Sequence, residues 1–314
     1  MTNATSLPSA TLVASADLPS PDSESSTQSA TTLISGESAG LALSPTPRAV
    51  TPMAILVEQL TAIAARAEQG ESTAALQASL QQTIALAAGL DPYLSDCASP
   101  ESPALAALAQ KTAAEDWSQR FSDQETVHAL EQEMLSGHVE GQTLKLFVHM
   151  TRAQRILEVG MFTGYSALAM AEALPDDGLL LACEMDAYVA QFAQTCFAAS
   201  PHGHKIQVKV APALQTLAAL AQAQQSFDLV FIDANKAEYI QYFELLLDRD
   251  LVTPGGFICA DNTLFQGQAY LPAAQRTANG AAIAAFNRHV AADERVEQVL
   301  LPLRDGLTII RRKP

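Results

Sequence analysis

The chain has 314 residues, 48 % of them hydrophobic, which is enough apolar material for one large α/β domain with an extension. Its formal net charge is −16, from 34 acidic and 18 basic residues. Such a surface repels phosphate groups, so we expect neither nucleic acid nor a membrane among its partners. The four cysteines lack CxxC and zinc-finger spacing. This cysteine pattern fits a reducing compartment and predicts a cytoplasmic protein.

Residues 1–50 are rich in Ser, Thr, Ala and Pro and contain one basic residue, Arg48. They have no apolar core of the kind that signal peptides carry, so a secretory signal is not predicted. This composition buries too little apolar surface to offset the entropy of ordering the chain. We therefore predict a disordered tail without a catalytic role.

Helices are predicted in the next hundred residues. Apolar residues at helical spacing indicate a first helix after Pro52 and a second one that ends at Gly89. Asp91-Pro92 begins a stretch that is predicted to be rich in turns and that contains Pro100 and Pro103. Two more helices are expected at about 123–135 and 141–150.

Short apolar strands alternate with helices in the rest of the chain, which predicts a parallel, doubly wound sheet with helices on both faces. The strands are expected at 155–159, 179–184, 206–210, 227–233, 257–261, 296–301 and 307–311. The helices are expected at 165–174, 187–199, 212–224, 237–248 and 280–292. Because only five residues join the last two strands, the final strand should run antiparallel. The predicted organisation is a tail at 1–50, a helical extension at 51–150 that packs on the catalytic domain, and the catalytic domain at 151–314.

A glycine-containing loop follows the first predicted strand, where residues 157–166 read LEVGMFTGYS. Gly160 allows a sharp turn and a close approach to a ligand, and Gly164 opens a helix with free N–H groups. Glu184 ends the next strand, where α/β nucleotide binders place an acid on ribose hydroxyls. Each feature alone also fits a plain strand–turn–helix connection. In this order they favour a nucleoside cofactor, and the missing GxGxxG pattern favours S-adenosylmethionine (SAM) over a dinucleotide.

Oxygen-bearing side chains end two later strands. Asp233 closes the fourth strand, and Asp261 and Asn262 close the fifth. The carboxyl ends of such strands meet at one edge of the sheet. Carboxylate and amide oxygens suit Mg²⁺, Mn²⁺ or Ca²⁺. The alternative is that these residues only make turns or cap helices.

Lys236 lies three residues after Asp233 and could reach the same centre. In a partly dry pocket among cations, its pKa would be lowered and it could act as a base. The alternative is an exposed lysine in the first turn of a helix.

From Phe121 to Arg312 the chain resembles the cation-dependent O-methyltransferases, the family that contains the caffeoyl-CoA and catechol O-methyltransferases. The resemblance is carried by SGHVEGQ, LEVGMFTGYSALAMA, FDLVFIDANKAEY, LVTPGGFICADNTL and RDGLTII. It implies a Rossmann-like class I methyltransferase fold, with a seven-stranded, mostly parallel sheet and an antiparallel last strand. It also implies SAM and a divalent cation, most often Mg²⁺, as cofactors, and a homodimer.

The resemblance also assigns residues. Family metal ligands correspond to Asp233, Asp261 and Asn262, and the catalytic lysine corresponds to Lys236. Cofactor contacts correspond to Ser136, Glu158, Gly160, Met161, Ser166, Glu184 and Ala213. Family members commonly read D-A-D-K where this chain has Asn235 in place of the second acid. Asn235 is therefore a candidate cofactor contact that departs from the family pattern.

A closer resemblance is to the O-methyltransferases of mycosporine-like amino acid biosynthesis. It extends upstream and into a later loop, through residues 89–94, 99–105, 111–117 and 266–280. It implies conversion of demethyl-4-deoxygadusol, a small polyol or enol, to 4-deoxygadusol. Arg276 in the later loop is a candidate substrate contact, with an exposed loop arginine as the alternative.

Three other functions stay open on sequence alone. The same chemistry could act on a catechol or a caffeoyl-type aromatic vicinal diol. An NAD(P) oxidoreductase on a similar sheet is disfavoured by the missing GxGxxG pattern. A non-catalytic binding module is disfavoured because Asp233, Lys236, Asp261 and Asn262 are all present.

Overall fold

Seven strands form one sheet in residues 51–314, the part of the chain that the computed structural model describes. They are β1 (Arg155–Val159), β2 (Leu179–Glu184), β3 (Ile206–Val210), β4 (Phe227–Ile232), β5 (Val252–Ala260), β6 (Val296–Leu301) and β7 (Leu307–Arg312). Their order across the sheet is β3-β2-β1-β4-β5-β7-β6. Strands β1 to β5 pair in parallel, whereas β7 runs antiparallel to both β5 and β6. The predicted fold class is confirmed, including the antiparallel last strand.

Helices account for most of the remaining described chain. They are α1 (Pro52–Glu68), α2 (Thr73–Ala88), α3 (Leu90–Cys97), α4 (Pro103–Ala114), α5 (Trp117–Ser122), α6 (Gly137–Thr151), α7 (Tyr165–Ala173), α8 (Ala187–Ala198), α9 (Ala213–Gln222), α10 (Tyr239–Asp248) and α11 (Ala278–Ala292). The predicted helices of the sheet region are confirmed within a few residues. The two predicted helices that open the described region are also confirmed, with Gly89 at the C-cap of α2.

The stretch after Asp91, predicted to be rich in turns, is more helical than expected, because α3 extends to Cys97 and α4 begins at Pro103. Pro103 starts α4 in the first turn, where a missing N–H costs nothing. The Ser102 hydroxyl accepts a hydrogen bond of 3.2 Å from the backbone N–H of Leu105 and caps the helix.

The predicted helix at 123–135 is also wrong. Helix α5 ends at Ser122, and Gln124 adopts a left-handed backbone with φ 62° that does not continue a helix. The backbone N–H of Val127 instead donates a 2.7 Å hydrogen bond to the Asp186 carboxylate. Only a short 3-10 turn, Gln132–Met134, precedes α6.

The sheet is buried on both faces, which is why its parallel strands read as continuous apolar runs. One face packs against α9, α10 and α11 through side chains such as Leu217, Phe243 and Phe286. The other face packs against α4, α6, α7 and α8 through side chains such as Leu108 and Leu144. Helices α4 and α6 therefore share a core with the central strands.

Within residues 51–314, no helix combines the length and the apolar character needed to cross a bilayer. The predicted tail at 1–50 lies outside the described residues.

Candidate active site

The candidate site lies at the carboxyl edge of the sheet, where the parallel register places the ends of the central strands side by side. Val159 pairs with Ile232, and Ile232 pairs with Ala260. The next residue of each later strand continues this ladder. The N–H of Asp233 donates to the carbonyl of Val159, and the N–H of Asp261 donates to the carbonyl of Ile232, both at 2.9 Å. The sheet therefore brings Asp233 and Asp261 to adjacent strand ends, as predicted.

Gly160 makes this arrangement possible. Its backbone has φ +89°, and a Cβ atom there would lie 2.2 Å from the carbonyl oxygen of Asp233. A side chain at this position would push the glycine-containing loop after β1, called the cofactor loop below, away from the end of β4. The sequence predicted that this glycine allows a close approach to a ligand. In the structure, the close approach is to the backbone of Asp233.

Lys236 joins Asp233 in a half-buried network. Its Nζ donates to Asp233 Oδ1 and to the Tyr239 hydroxyl, both at 2.8 Å, and that hydroxyl donates to the carbonyl of Asp261 at 3.1 Å. Burial lowers the pKa of Lys236, but attraction to Asp233 and Tyr239 outweighs it, and the net pKa is raised. These contacts favour the ammonium form. The lowered pKa that the sequence predicts applies to a lysine among cations and stays a prediction. The prediction of a reach toward the Asp233 centre is met.

Asp261 and Asn262 stand next to this network. Burial, followed by repulsion from Asp233, raises the pKa of Asp261 to about 7. Asn262 has a left-handed backbone with φ 56°, which asparagine tolerates better than most residues. Its Nδ2 donates to Asp261 Oδ2 at 3.1 Å.

Sequence reasoning missed Glu140, which faces the same acids from helix α6. Its side chain is 2 % exposed, and neither of its carboxylate oxygens has a hydrogen-bond partner. Burial, then repulsion from Asp261 and Asp233, raises its pKa well above the ordinary range. Its nearest cation is Arg304, whose Nε lies 3.4 Å from Oε2. The only sequence signal was its place in the SGHVEGQ motif, because a glutamate in a first helical turn is ordinarily exposed.

These groups fit a hard divalent cation. Three carboxylates and one amide meet where two cationic side chains, Lys236 and Arg304, compensate them only in part. Buried carboxylates without partners are costly unless a positive charge joins them. Oxygen donors of this type are the ones that Mg²⁺, Mn²⁺ and Ca²⁺ take. Asp233, Asp261 and Asn262 are the residues that could hold the ion.

The cofactor loop carries a second incompletely partnered carboxylate. Glu158 is fully buried in β1, where Ser166 donates a hydrogen bond to Oε1 and Oε2 has no partner. Burial raises the pKa of Glu158 to about 8. A cationic ligand group would supply the missing partner, so the loop fits SAM, which carries an ammonium and a sulfonium.

Glu184 ends β2 beside this loop. Its Oε1 accepts hydrogen bonds from the N–H groups of Met185 at 2.8 Å and Asp186 at 3.0 Å, and its Oε2 accepts one from Phe162 at 2.9 Å. Burial raises its pKa to about 6, although these hydrogen bonds oppose the rise. The carboxylate is thus fixed next to the loop, where an acid for ribose hydroxyls is expected.

The other predicted residues differ in placement. Ser136 precedes α6, Met161 is buried in the glycine loop, and Ala213 begins α9. Asn235 is exposed, and its Oδ1 accepts a 3.2 Å hydrogen bond from the N–H of Ala237, so it caps a short turn. Arg276 donates through Nε to the carbonyl of Leu271 at 2.8 Å and braces its own loop.

Two cavities flank α4. A cavity of about 410 Å³ is lined by Thr112, Leu135 and Arg304, and Arg304 is the residue that approaches Glu140. A larger one of about 510 Å³ lies on the other side, among α4, α6 and α8, and is lined by Lys111, Lys145 and His202. Neither cavity is lined by a predicted site residue.

Comparisons with known proteins agree with this geometry. The sequence pattern of the O-methyltransferase family matches residues 104–313. Caffeoyl-CoA O-methyltransferase 2 of Zea mays is 39 % identical over 181 residues, which are 55 % of this chain and 68 % of that protein. The caffeoyl-CoA O-methyltransferase of Petroselinum crispum is 37 % identical over 55 % of this chain and 74 % of its own.

Two solved structures share the fold. The S-adenosylhomocysteine (SAH)-bound methyltransferase PaMTH1 of Podospora anserina has a TM-score of 0.61 and 26 % identity, and covers 73 % of this chain and 95 % of its own. The O-methyltransferase TomG of Streptomyces achromogenes, solved with SAM and involved in tomaymycin synthesis, has a TM-score of 0.59 and 28 % identity, and covers 72 % of this chain and 96 % of its own. Together with the family match, these likenesses show that the chain belongs to the cation-dependent O-methyltransferase family and is an S-adenosylmethionine-dependent O-methyltransferase.

Proposed function

We propose that this enzyme transfers the SAM methyl group to one of two adjacent oxygens of a small substrate, with a divalent cation as the chelating centre. The proposal rests on one observation. The ends of β4 and β5 bring Asp233 next to Asp261, directly beside the cofactor loop that Gly160 keeps close. Mg²⁺ is the cation expected first, and Mn²⁺ or Ca²⁺ has the same ligand chemistry.

Asp233, Asp261 and Asn262 would hold the cation. When bound, it supplies positive charge that lowers the pKa of a chelated hydroxyl and fixes the direction of its oxygen. The substrate oxygen then forms a bond to the methyl carbon. The carbon–sulfur bond breaks and its electron pair stays on sulfur, which gives SAH. Positioning of the two reactants supplies much of the acceleration.

Lys236 is proposed to stabilise negative charge on the attacking oxygen or to accept its proton. Its ammonium, 2.8 Å from Asp233, can stabilise an oxyanion by donating a hydrogen bond. Once Asp233 shares its charge with a cation, the attraction that raises the pKa of Lys236 weakens. The neutral amine can then accept the hydroxyl proton, which is the role predicted from the sequence.

The cofactor is proposed to lie along the glycine loop. Glu184 would accept hydrogen bonds from the ribose hydroxyls, and Oε2 of Glu158 would face a cationic group of the cofactor. The remaining proposed contacts are Ser136, Gly160, Met161, Ser166, Ala213 and Asn235.

For the substrate we propose demethyl-4-deoxygadusol, which would be converted to 4-deoxygadusol. The support is the sequence resemblance at 89–94, 99–105 and 266–280, together with Arg276, which lies in the last of these segments. The caffeoyl-CoA O-methyltransferases among the relatives favour a second candidate, an aromatic vicinal diol such as a catechol or a caffeoyl ester.

Labelled SAM, Mg²⁺ and a panel of demethyl-4-deoxygadusol, catechol and caffeoyl-CoA would separate these candidates. We expect methylation that a chelator abolishes and Mg²⁺ restores. Asp233→Ala should remove methylation and leave SAM binding, measured by calorimetry, largely intact. Equal loss of both properties in Asp233→Ala would contradict a metal role, and turnover of catechol alone would assign the aromatic alternative.

We also propose a homodimer located in the cytoplasm, without nucleic-acid or membrane partners. The formal charge of −16 and the cysteine spacing support the location and the excluded partners. The family resemblance supports the dimer. Light scattering after size exclusion would test it, and a mass near 33.3 kDa would contradict it.

A further inference from the structure

Glu140 is a buried carboxylate that has no role among the proposed metal, cofactor, catalytic and substrate residues. It sits in the first turn of α6, where a carboxylate ordinarily accepts backbone N–H groups or faces solvent. Here neither oxygen accepts a hydrogen bond, and only 2 % of the side chain is exposed. A role in stabilising the N-terminus of α6 therefore does not explain why this carboxylate is buried without hydrogen-bond partners.

Its surroundings point toward the cation centre. The carboxylates of Asp261 and Asp233 lie near enough to repel it. On the other side, Arg304 from the turn between β6 and β7 approaches Oε2 through Nε at 3.4 Å, with 43 % of its side chain exposed. A single, partly exposed arginine at this distance compensates a buried carboxylate weakly.

The spacing limits how many of the three carboxylates can bind one ion directly. Two oxygen ligands of one Mg²⁺ lie at most about 4.2 Å apart, because each bond is about 2.1 Å long. Within residues 51–314, the one trio of His, Cys, Asp or Glu side chains whose ligand atoms all lie within 4.8 Å of one another is Glu244, His289 and Asp293. Glu140, Asp233 and Asp261 are therefore spaced too widely for all three to bind one ion directly. Because Asp233 and Asp261 are assigned as ligands under the proposed function, Glu140 is the carboxylate left outside.

That trio is itself explained by ion pairing. Arg295 contacts Glu244 at 2.8 Å and Asp293 at 2.6 Å, and His289 pairs with Glu244. It carries no separate metal site.

We propose that Glu140 serves the cation centre as an outer carboxylate, which adds a third negative charge and accepts hydrogen bonds from water held by the ion. This inference rests on the proposed function, since it requires a cation on Asp233, Asp261 and Asn262. Groups that support metal ligands from outside typically change metal affinity by about 10- to 100-fold when they are removed.

The test compares Glu140→Gln with Glu172→Gln. Glu172 is a matched control, because its side chain is 5 % exposed and it pairs with Lys145 at 2.6 Å, away from the cation centre. Mn²⁺ affinity is measured by electron paramagnetic resonance, and the Tm of chelator-treated protein is measured alongside. We expect Glu140→Gln to bind Mn²⁺ about 10- to 100-fold more weakly. Its Tm should stay equal or rise, since a buried carboxyl group without a hydrogen-bond partner is replaced by a neutral amide.

A structural role for the contact between Glu140 and Arg304 gives the opposite pattern, namely a lower Tm with unchanged Mn²⁺ affinity, and would overturn the inference. Should Glu140→Gln not fold, Arg304→Met keeps the carboxylate and removes its cation. That variant should bind Mn²⁺ at least as tightly as wild type, and weaker binding would count against the inference. Absence of Mn²⁺ binding by the wild-type protein would instead sink the proposed function itself.

Discussion

The Glu184 carboxylate is held in one orientation by three backbone N–H groups, which belong to Phe162, Met185 and Asp186. One of these donors is part of the glycine loop, so the acid and the loop are positioned together. Burial nevertheless raises the pKa of Glu184 to about 6. The group therefore changes its charge just below neutral pH.

Cofactor affinity should follow that change. An ionised Glu184 accepts hydrogen bonds from ribose hydroxyls, whereas the protonated form loses acceptor capacity. Binding that selects the ionised form weakens as pH falls through about 6, by at most about tenfold per pH unit, and levels off above it. Calorimetry with SAH from pH 5 to 7.5, in the presence of a chelator, would measure this dependence.

Glu184→Gln is the control for the pH profile. The amide does not titrate, so its binding should be weaker at neutral pH and should lack the part of the pH dependence that Glu184 contributes. Glu158, with a pKa raised to about 8, contributes the same dependence to both proteins below pH 8, so the difference between the two profiles isolates Glu184. Identical pH profiles for wild type and Glu184→Gln would assign the dependence to another group.

Strand-end residues could be predicted from the sequence because their position follows from topology. Asp233 and Asp261 come directly after apolar runs, and parallel strands must bring such positions together. Glu140 could not be predicted in the same way. Its approach to Asp261 depends on how α6 packs against the sheet, and no local pattern encodes that packing. The pKa of Lys236 also depends on neighbours, such as Tyr239, that only the structure reveals.

At the scale of the elements, α5 joins the helical extension to the cofactor loop. Its first residue, Trp117, is buried and contacts Phe162 with ring centroids 5.0 Å apart and Phe192 at 5.6 Å. Next to it, the hydroxyl of Thr112 in α4 donates to that of Thr163 in the loop at 2.9 Å. The extension therefore supports the loop from outside.

Removal of this aromatic contact should weaken both folding and cofactor binding. Trp117→Ala is expected to lower the free energy of unfolding by about 3–5 kcal/mol, the usual cost of truncating a buried aromatic side chain. SAM should bind less tightly, because Phe162 would lose its packing partner while its N–H holds Glu184. Denaturant unfolding and calorimetry measure the two effects.

Phe121→Ala offers a matched comparison on the same helix. Phe121 is 45 % exposed, so its truncation should change stability and SAM affinity only slightly. Equal SAM affinity in Trp117→Ala and wild type would show that α5 supports the fold without supporting the site.

Local sequence rules explain the elements that were predicted and those that were not. The pair Ser102-Pro103 matches a capped helix start, yet the density of proline in this region favoured turns. At 123–135 a helix is predicted, but the tertiary hydrogen bond from Val127 to Asp186 holds the chain in another conformation. The helix start at Ser102-Pro103 is visible in the sequence but was outweighed by the nearby prolines. The Val127–Asp186 hydrogen bond is not visible there, because its two residues are 59 positions apart.

At the scale of the whole molecule, the helices before the sheet differ in what they bury. Helix α1 has no buried residue, and the one buried residue of α2 is Thr83. Helix α4, in contrast, places Leu105 and Leu108 in the core that covers one face of the sheet. All the predicted site residues lie beyond α4, from Ser136 onward. Burial therefore increases along the described chain, from the mostly exposed hairpin of α1 and α2 to α4, which is part of the core.

Stepwise truncation should reveal this gradation. A chain that starts at Thr51 or at Gly89 should keep its Tm within a few degrees and retain methylation, because no buried apolar side chain of the described residues is removed. A chain that starts at Glu115 should fail to fold, since loss of each buried leucine costs about 2–5 kcal/mol, against a total stability of about 5–15 kcal/mol. Calorimetric unfolding and light scattering would follow each step.

Met53, Val57 and Ile84 are exposed on the hairpin of α1 and α2. If the chain that starts at Gly89 is a monomer, the dimer contact lies on this hairpin. Loss of folding on starting at Gly89 would contradict a peripheral role for α1 and α2.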